Sequence, residues 1–79
     1  MLTVWGRKTS VNVQKVMWLI GELDLEHRRY DVGGAFGGLD TPEYGAMNPH
    51  RKIPTLQDGD ITTWESEAVL RYLGSTYGE

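Results

Sequence analysis

The chain has 79 residues, and its 8 Lys and Arg against 11 Asp and Glu give a formal charge of −3 that offers nucleic acid no electrostatic footing. A hydrophobic fraction of 39% and a charged fraction of 24% are those of one globular domain, although a chain this short buries only about 60–65% of its surface, near the lower limit for a single core. Cysteine is absent, which excludes disulfides, thiolate zinc sites and protein-borne dithiol chemistry, so any sulfur chemistry must enter with a small molecule.

Met1 to Trp5 lacks the basic start and apolar stretch of a secretory signal, and the longest apolar run, Val16 to Ile20, is too short to cross a bilayer. A cytoplasmic protein that meets no membrane is the expectation. Leu2 to Trp5 reads as a short strand ending at Gly6, and Gly6 to Ser10 as a loop. From about Asn12 to Leu23, the apolar residues Val13, Val16, Met17, Ile20 and Leu23 recur at helical spacing. Ser10 and Asn12 both have the chemistry of its N-cap.

His27 to Val32 alternates as a half-buried strand near a sheet edge. Two strands flanking one helix make a βαβ unit, hence a parallel pair with a right-handed crossover. Gly33-Gly34-Ala35-Phe36-Gly37-Gly38 reads as a surface loop, because neither Gly-x-Gly-x-x-Gly nor a P-loop ending in Gly-Lys-Ser/Thr is present. Thr41-Pro42-Glu43 opens a helix that Gly45 and Asn48-Pro49 limit to a turn or so.

Residues 51–66 then read as a strand, a two-residue type I′ turn at Asp58-Gly59, and a second strand. A last helix from Ser66 to Tyr77 turns Val69, Leu70, Leu73 and Tyr77 inward and stops at Gly78. The order is β-α-β-α-β-β-α, an α/β fold. Two features in this stretch suggest a binding site. Ile53-Pro54 is an X-Pro bond, the type that adopts cis at only about 0.5–1 kcal/mol, and a bend there would turn the backbone of Ile53 towards a ligand. Glu65 and Ser66 stand where a helix leaves N–H groups unpaired, a natural anchor for a carboxylate. Each also has a plain reading, Pro54 as the start of an edge strand and Ser66 as a cap.

This order, with Asn48-Pro49, then Lys52-Ile53-Pro54-Thr55-Leu56, Asp58-Gly59, Trp64-Glu65-Ser66-Glu67-Ala68 and Arg71-Tyr72-Leu73, resembles the N-terminal thioredoxin-like domain of the cytosolic glutathione S-transferases, in particular bacterial, serine-type or theta-like members. The resemblance runs through nearly all of residues 1–79 and implies a mixed four-stranded sheet with a cis-proline before strand three. It also implies an all-helical C-terminal domain that this chain lacks. By the same resemblance, Glu65 would meet the ammonium of glutathione, while Ser66 and the helix amides would meet its γ-glutamyl carboxylate. Ile53 would pair its backbone with the cysteinyl amide beside Pro54. Lys52 or Arg51 would hold the glycyl carboxylate, and His50 could join them or remain a solvated loop residue.

The thiol-activating group of the family lies between the first strand and first helix. Here the candidates are Ser10, Thr9 and Asn12, and the Ser10-x-Asn12 spacing resembles the arrangement in bacterial relatives. Lowering a thiol pKa from about 8.5 by two units takes roughly 2.7 kcal/mol. One charge-assisted hydrogen bond, about 1.5–3 kcal/mol, with a helix N-terminus at about 0.3–1 kcal/mol, is sufficient. Ser10 would donate that bond, acting with Asn12, and the nucleophile would be the sulfur of glutathione, attacking a hydrophobic electrophile.

The implied protein is a glutathione S-transferase of detoxification type, working as a homodimer with glutathione as co-substrate and no metal. The bare 79-residue domain would show little turnover. The rival reading is a non-catalytic module of the same fold used for protein assembly. His27 and His50 are the only histidines and, without cysteine, make no metal site. Trp5, Trp18 and Trp64 read as core or wall residues, since no basic stripe runs with them.

Overall fold

The computed structural model describes residues 2–78. The elements are β1 (Leu2–Trp5), α1 (Val11–Glu22), β2 (His27–Tyr30), a 3₁₀ turn (Gly34–Phe36), α2 (Pro42–Met47), β3 (Thr55–Asp58), β4 (Ile61–Trp64) and α3 (Ser66–Tyr77). They form one mixed sheet in the order β2-β1-β3-β4. β1 pairs in parallel with β2, as the βαβ reading requires, and antiparallel with β3, which in turn pairs antiparallel with β4.

Period-two burial along β1 points Leu2 and Val4 at the helices. There they join Leu56 of β3, Val16 and Ile20 of α1, and Val69 and Leu73 of α3 in one buried cluster. Both long helices therefore cover the same face of the sheet. Each fully buried aliphatic side chain contributes about 1.5–3 kcal/mol, so this cluster is the main source of cohesion. Gly6 lets the layers close, since a Cβ there would lie 2.4 Å from Val13 Cγ2.

Four details differ from the sequence expectations. The hairpin loop is Gly59-Asp60, because Asp58 still pairs with Ile61 in the ladder. Gly59 has φ +60° whereas Asp60 does not have positive φ, the pattern of a II′ turn instead of I′. β2 ends at Tyr30, yet Val32 stays buried and its C=O accepts the Arg7 N–H at 3.0 Å. Gly34 to Phe36 closes a 3₁₀ turn inside the expected loop. Tyr77 is exposed, its hydroxyl turned to Asp58 instead of its ring to the core.

The Ile53–Pro54 peptide bond is cis. No helix among the described residues is long and apolar enough to cross a membrane.

Candidate functional site

A cleft of about 190 Å³ opens where the start of α1, the segment entering β3 and the β4–α3 junction meet. Asn12 lines it from α1, Lys52, Ile53 and Pro54 from the middle segment, and Glu65 and Ser66 from the head of α3. Three stretches separated in sequence, around residues 12, 53 and 65, thus converge. The volume is below the roughly 300–1,000 Å³ of a complete small-molecule pocket, so a ligand held here keeps part of its surface outside the cleft.

At the head of α3, Glu65 occupies the cap position with φ +74° and ψ 123°, and its side chain makes no cap hydrogen bond. The first intrahelical bond runs from the Val69 N–H to the Glu65 C=O at 2.9 Å. The amides of residues 66–68 precede it and form the positive end of the helix. An anion donor set and an exposed carboxylate, that of Glu65, therefore stand side by side, which suits a ligand carrying a carboxylate and an ammonium on one carbon.

Opposite lies the peptide at Ile53. Pro54 is buried and Ile53 half-buried, and the Ile53 backbone has no backbone partner among the described residues. Its N–H and C=O can therefore pair with an extended ligand. The Lys52 side chain is exposed at the rim, while its C=O points inward and accepts two hydrogen bonds, from Tyr44 Oη at 2.5 Å and from Asn48 Nδ2 at 2.8 Å. Burial pushes the Tyr44 phenol above its ordinary value of 10.0, so the donor proton stays in place at neutral pH.

The basic candidates separate. Lys52 and His50 line the cleft, with the His50 ring centroid 6.4 Å from that of Trp64. Arg51 does not line it. Its guanidinium donates to the C=O groups of Leu39 and Thr41, both at 2.9 Å, and lies across Gly45, where a Cβ would meet it at 2.3 Å. Arg51 fastens the loop before α2 and is committed there.

The activation candidates separate as well. Asn12 sits in the first turn of α1 with its side chain exposed on the cleft wall. Ser10 caps α1, its Oγ accepting the Val13 N–H at a long 3.4 Å, and is half-buried beside the cleft lining instead of within it. Accepting that bond leaves the hydroxyl proton of Ser10 available to donate. Thr9 is exposed and outside the lining.

Sequence reasoning missed Tyr44, Asn48 and Thr55, which are 3%, 1% and 0% exposed and hydrogen-bond at the floor of the cleft, where Asn48 is part of the lining. Asn48 read as a helix stop before proline and as part of the motif that carries the resemblance, with no bonding role of its own. A second concavity, an apolar groove of about 590 Å³ between α1 and α3, lies among Val11, Lys15, Trp18 and Leu70. Trp18, read as core or wall, is 66% exposed there.

Comparison with known proteins accords with this geometry. A family profile described as "Glutathione S-transferase, N-terminal domain" matches residues 5–79. Glutathione S-transferase GstB of Escherichia coli K12 is 41% identical over 81 aligned residues, covering 100% of this chain and 39% of that protein. The chain thus spans about two fifths of the length of such curated relatives. The crystal structure of the theta class glutathione S-transferase from Xanthomonas axonopodis pv. citri, with glutathione bound, superposes with a TM-score of 0.94 at 50% identity, over 96% of this chain and 37% of that one. A glutathione transferase of Phanerochaete chrysosporium in complex with oxidized glutathione gives 0.91 at 33% identity, over 99% and 37%. With profile, relatives and βαβαββα topology in agreement, the chain belongs to the glutathione S-transferase family as its N-terminal, thioredoxin-like domain.

Proposed function

We propose that the cleft binds glutathione and holds its thiol as thiolate for attack on a hydrophobic electrophile. The observation that carries this reading is the convergence on one cleft of an exposed carboxylate beside a helix N-terminus (Glu65 and Ser66) with an unpaired peptide (Ile53–Pro54) and a lysine (Lys52). Glu65 takes the ammonium, Ser66 and the α3 amides take the γ-glutamyl carboxylate, Ile53 pairs with the cysteinyl amide, and Lys52 takes the glycyl carboxylate. That order lays the ligand along the cleft with its sulfur towards the head of α1. Ser10, with Asn12, then stabilises the thiolate there, and the freed proton passes to solvent.

The curated relatives are more than twice as long as this chain. In the proposed transferase an all-helical domain covers the apolar α1–α3 groove and supplies the wall for the electrophile. The working unit is a homodimer, and the domain by itself turns over little substrate. Trp64 lines the cleft and reports on its occupancy. Titration with glutathione should give a saturable change in tryptophan fluorescence that Glu65→Ala abolishes. Absence of binding by the full-length protein would favour the protein-assembly module instead.

A further inference from the structure

Beneath the cleft, three buried polar side chains close a ring around one carbonyl. The phenol of Tyr44 has one proton, and it goes to the Lys52 C=O at 2.5 Å. The 2.7 Å contact between Tyr44 Oη and Thr55 Oγ1 must then be donated by Thr55. Thr55 Oγ1 in turn accepts from Asn48 Nδ2 at 3.1 Å, while the second proton of that amide goes to the Lys52 C=O at 2.8 Å. Every donor is used and every direction is determined. Asn48 Oδ1 is occupied too, by the His50 N–H at 3.0 Å.

The Lys52 C=O belongs to the peptide that leads into Ile53. Two donors on one carbonyl, both from residues almost inaccessible to water, fix the plane of that peptide and so the direction of the next one. We infer that Tyr44, Asn48 and Thr55 are positioning residues for ligand binding: they hold the Ile53 backbone, through Lys52, in the orientation that pairs with the cysteinyl amide. The inference rests on the glutathione reading above and deepens it. Asn48 borders the cleft, whereas Tyr44 and Thr55 lie outside its lining and need not touch the ligand. The ring also joins α2 to the start of β3, so the short helix, which lies outside the main core cluster, acquires a role in the site.

The test is glutathione affinity in the full chain, measured for Tyr44→Phe, Thr55→Val, Thr55→Ser and, as a control elsewhere in the core, Ile20→Val. Tyr44→Phe and Thr55→Val each remove two ring bonds and should weaken binding at least about fivefold. Thr55→Ser keeps the hydroxyl and should bind as the wild type does, and Ile20→Val should lower stability without changing affinity. Wild-type affinity in both Tyr44→Phe and Thr55→Val overturns the inference, as does an equal loss in Thr55→Ser or in Ile20→Val. If Tyr44→Phe does not fold, the two Thr55 variants decide. A wild-type protein that binds no glutathione overturns the glutathione reading itself, a result distinct from binding that the variants leave unchanged.

Discussion

Glu65 holds backbone angles that cost a side-chain-bearing residue about 1–3 kcal/mol, and its carboxylate makes no cap bond in return. Strain of that size at the rim of the cleft accords with the ligand contact proposed for Glu65. The position of Ser10 is less committed, because its cap bond to Val13 is long and leaves the hydroxyl proton free. In the full-length protein, Ser10→Ala should raise the thiol pKa of bound glutathione by about one unit, which is about 1.4 kcal/mol of lost thiolate stabilisation. Ultraviolet titration of the bound thiolate reads this directly, and an unchanged curve would transfer the role to Asn12. Glu65, Ser66 and Ile53 were legible from sequence because each sits in a short contiguous motif with a helix start or a proline beside it. Tyr44, Asn48 and Thr55 were not, since their partners come together only when α2 folds back on the entry to β3. Buried polar pairing leaves no periodicity in the chain.

At the scale of elements, the helical spacing of Val13, Val16 and Ile20 and the run from Ser66 to Tyr77 identified both long helices, because one continuous apolar face makes a strong period. The hairpin was legible in place but not in register. Asp-Gly suggested Asp58 as a turn residue, whereas Asp58 stays in β3 and its carboxylate accepts the Tyr72 hydroxyl at 2.7 Å and that of Tyr77. Those two contacts clasp the end of α3 to the hairpin, and they explain why Tyr77 leaves the core. The hydrogen bonds from Tyr77 and then Tyr72 hold the Asp58 carboxyl below its usual 3.8, and the same carboxylate pushes Tyr77 up to about 12. The lowered acid contributes stability that is present above about 3.8 and lost as pH falls through its folded value. The raised phenol contributes stability present below its ordinary 10.0 and lost as pH climbs towards 12. Tyr77→Phe should therefore lower the melting temperature near neutrality and flatten its fall at both extremes. Melts across that pH range check it, and a variant curve parallel to the wild type would remove the clasp from the account.

Taken whole, the chain has a radius of gyration of 11.7 Å, against about 11.6 Å expected for a compact domain of this length. The small core makes it sensitive to anything that binds only the folded state. A ligand at one hundred times its dissociation constant adds about 2.7 kcal/mol of stability. In a domain of 60–100 residues each kcal/mol moves the melting temperature by about 4–8 °C, so saturating glutathione should raise it by roughly 10–20 °C. The three stretches that line the cleft come from α1, from the entry to β3 and from the β4–α3 junction, so a bound tripeptide would bridge most of the fold. Glu65→Ala should abolish the rise while leaving the unliganded melting temperature at or slightly below that of the wild type, because alanine forfeits a carboxylate that makes no cap bond and interacts with the positive end of α3 by only about 0.3–1 kcal/mol. A rise that survives Glu65→Ala would move the ligand away from the head of α3, and no rise in the wild type would leave the fold without its proposed ligand.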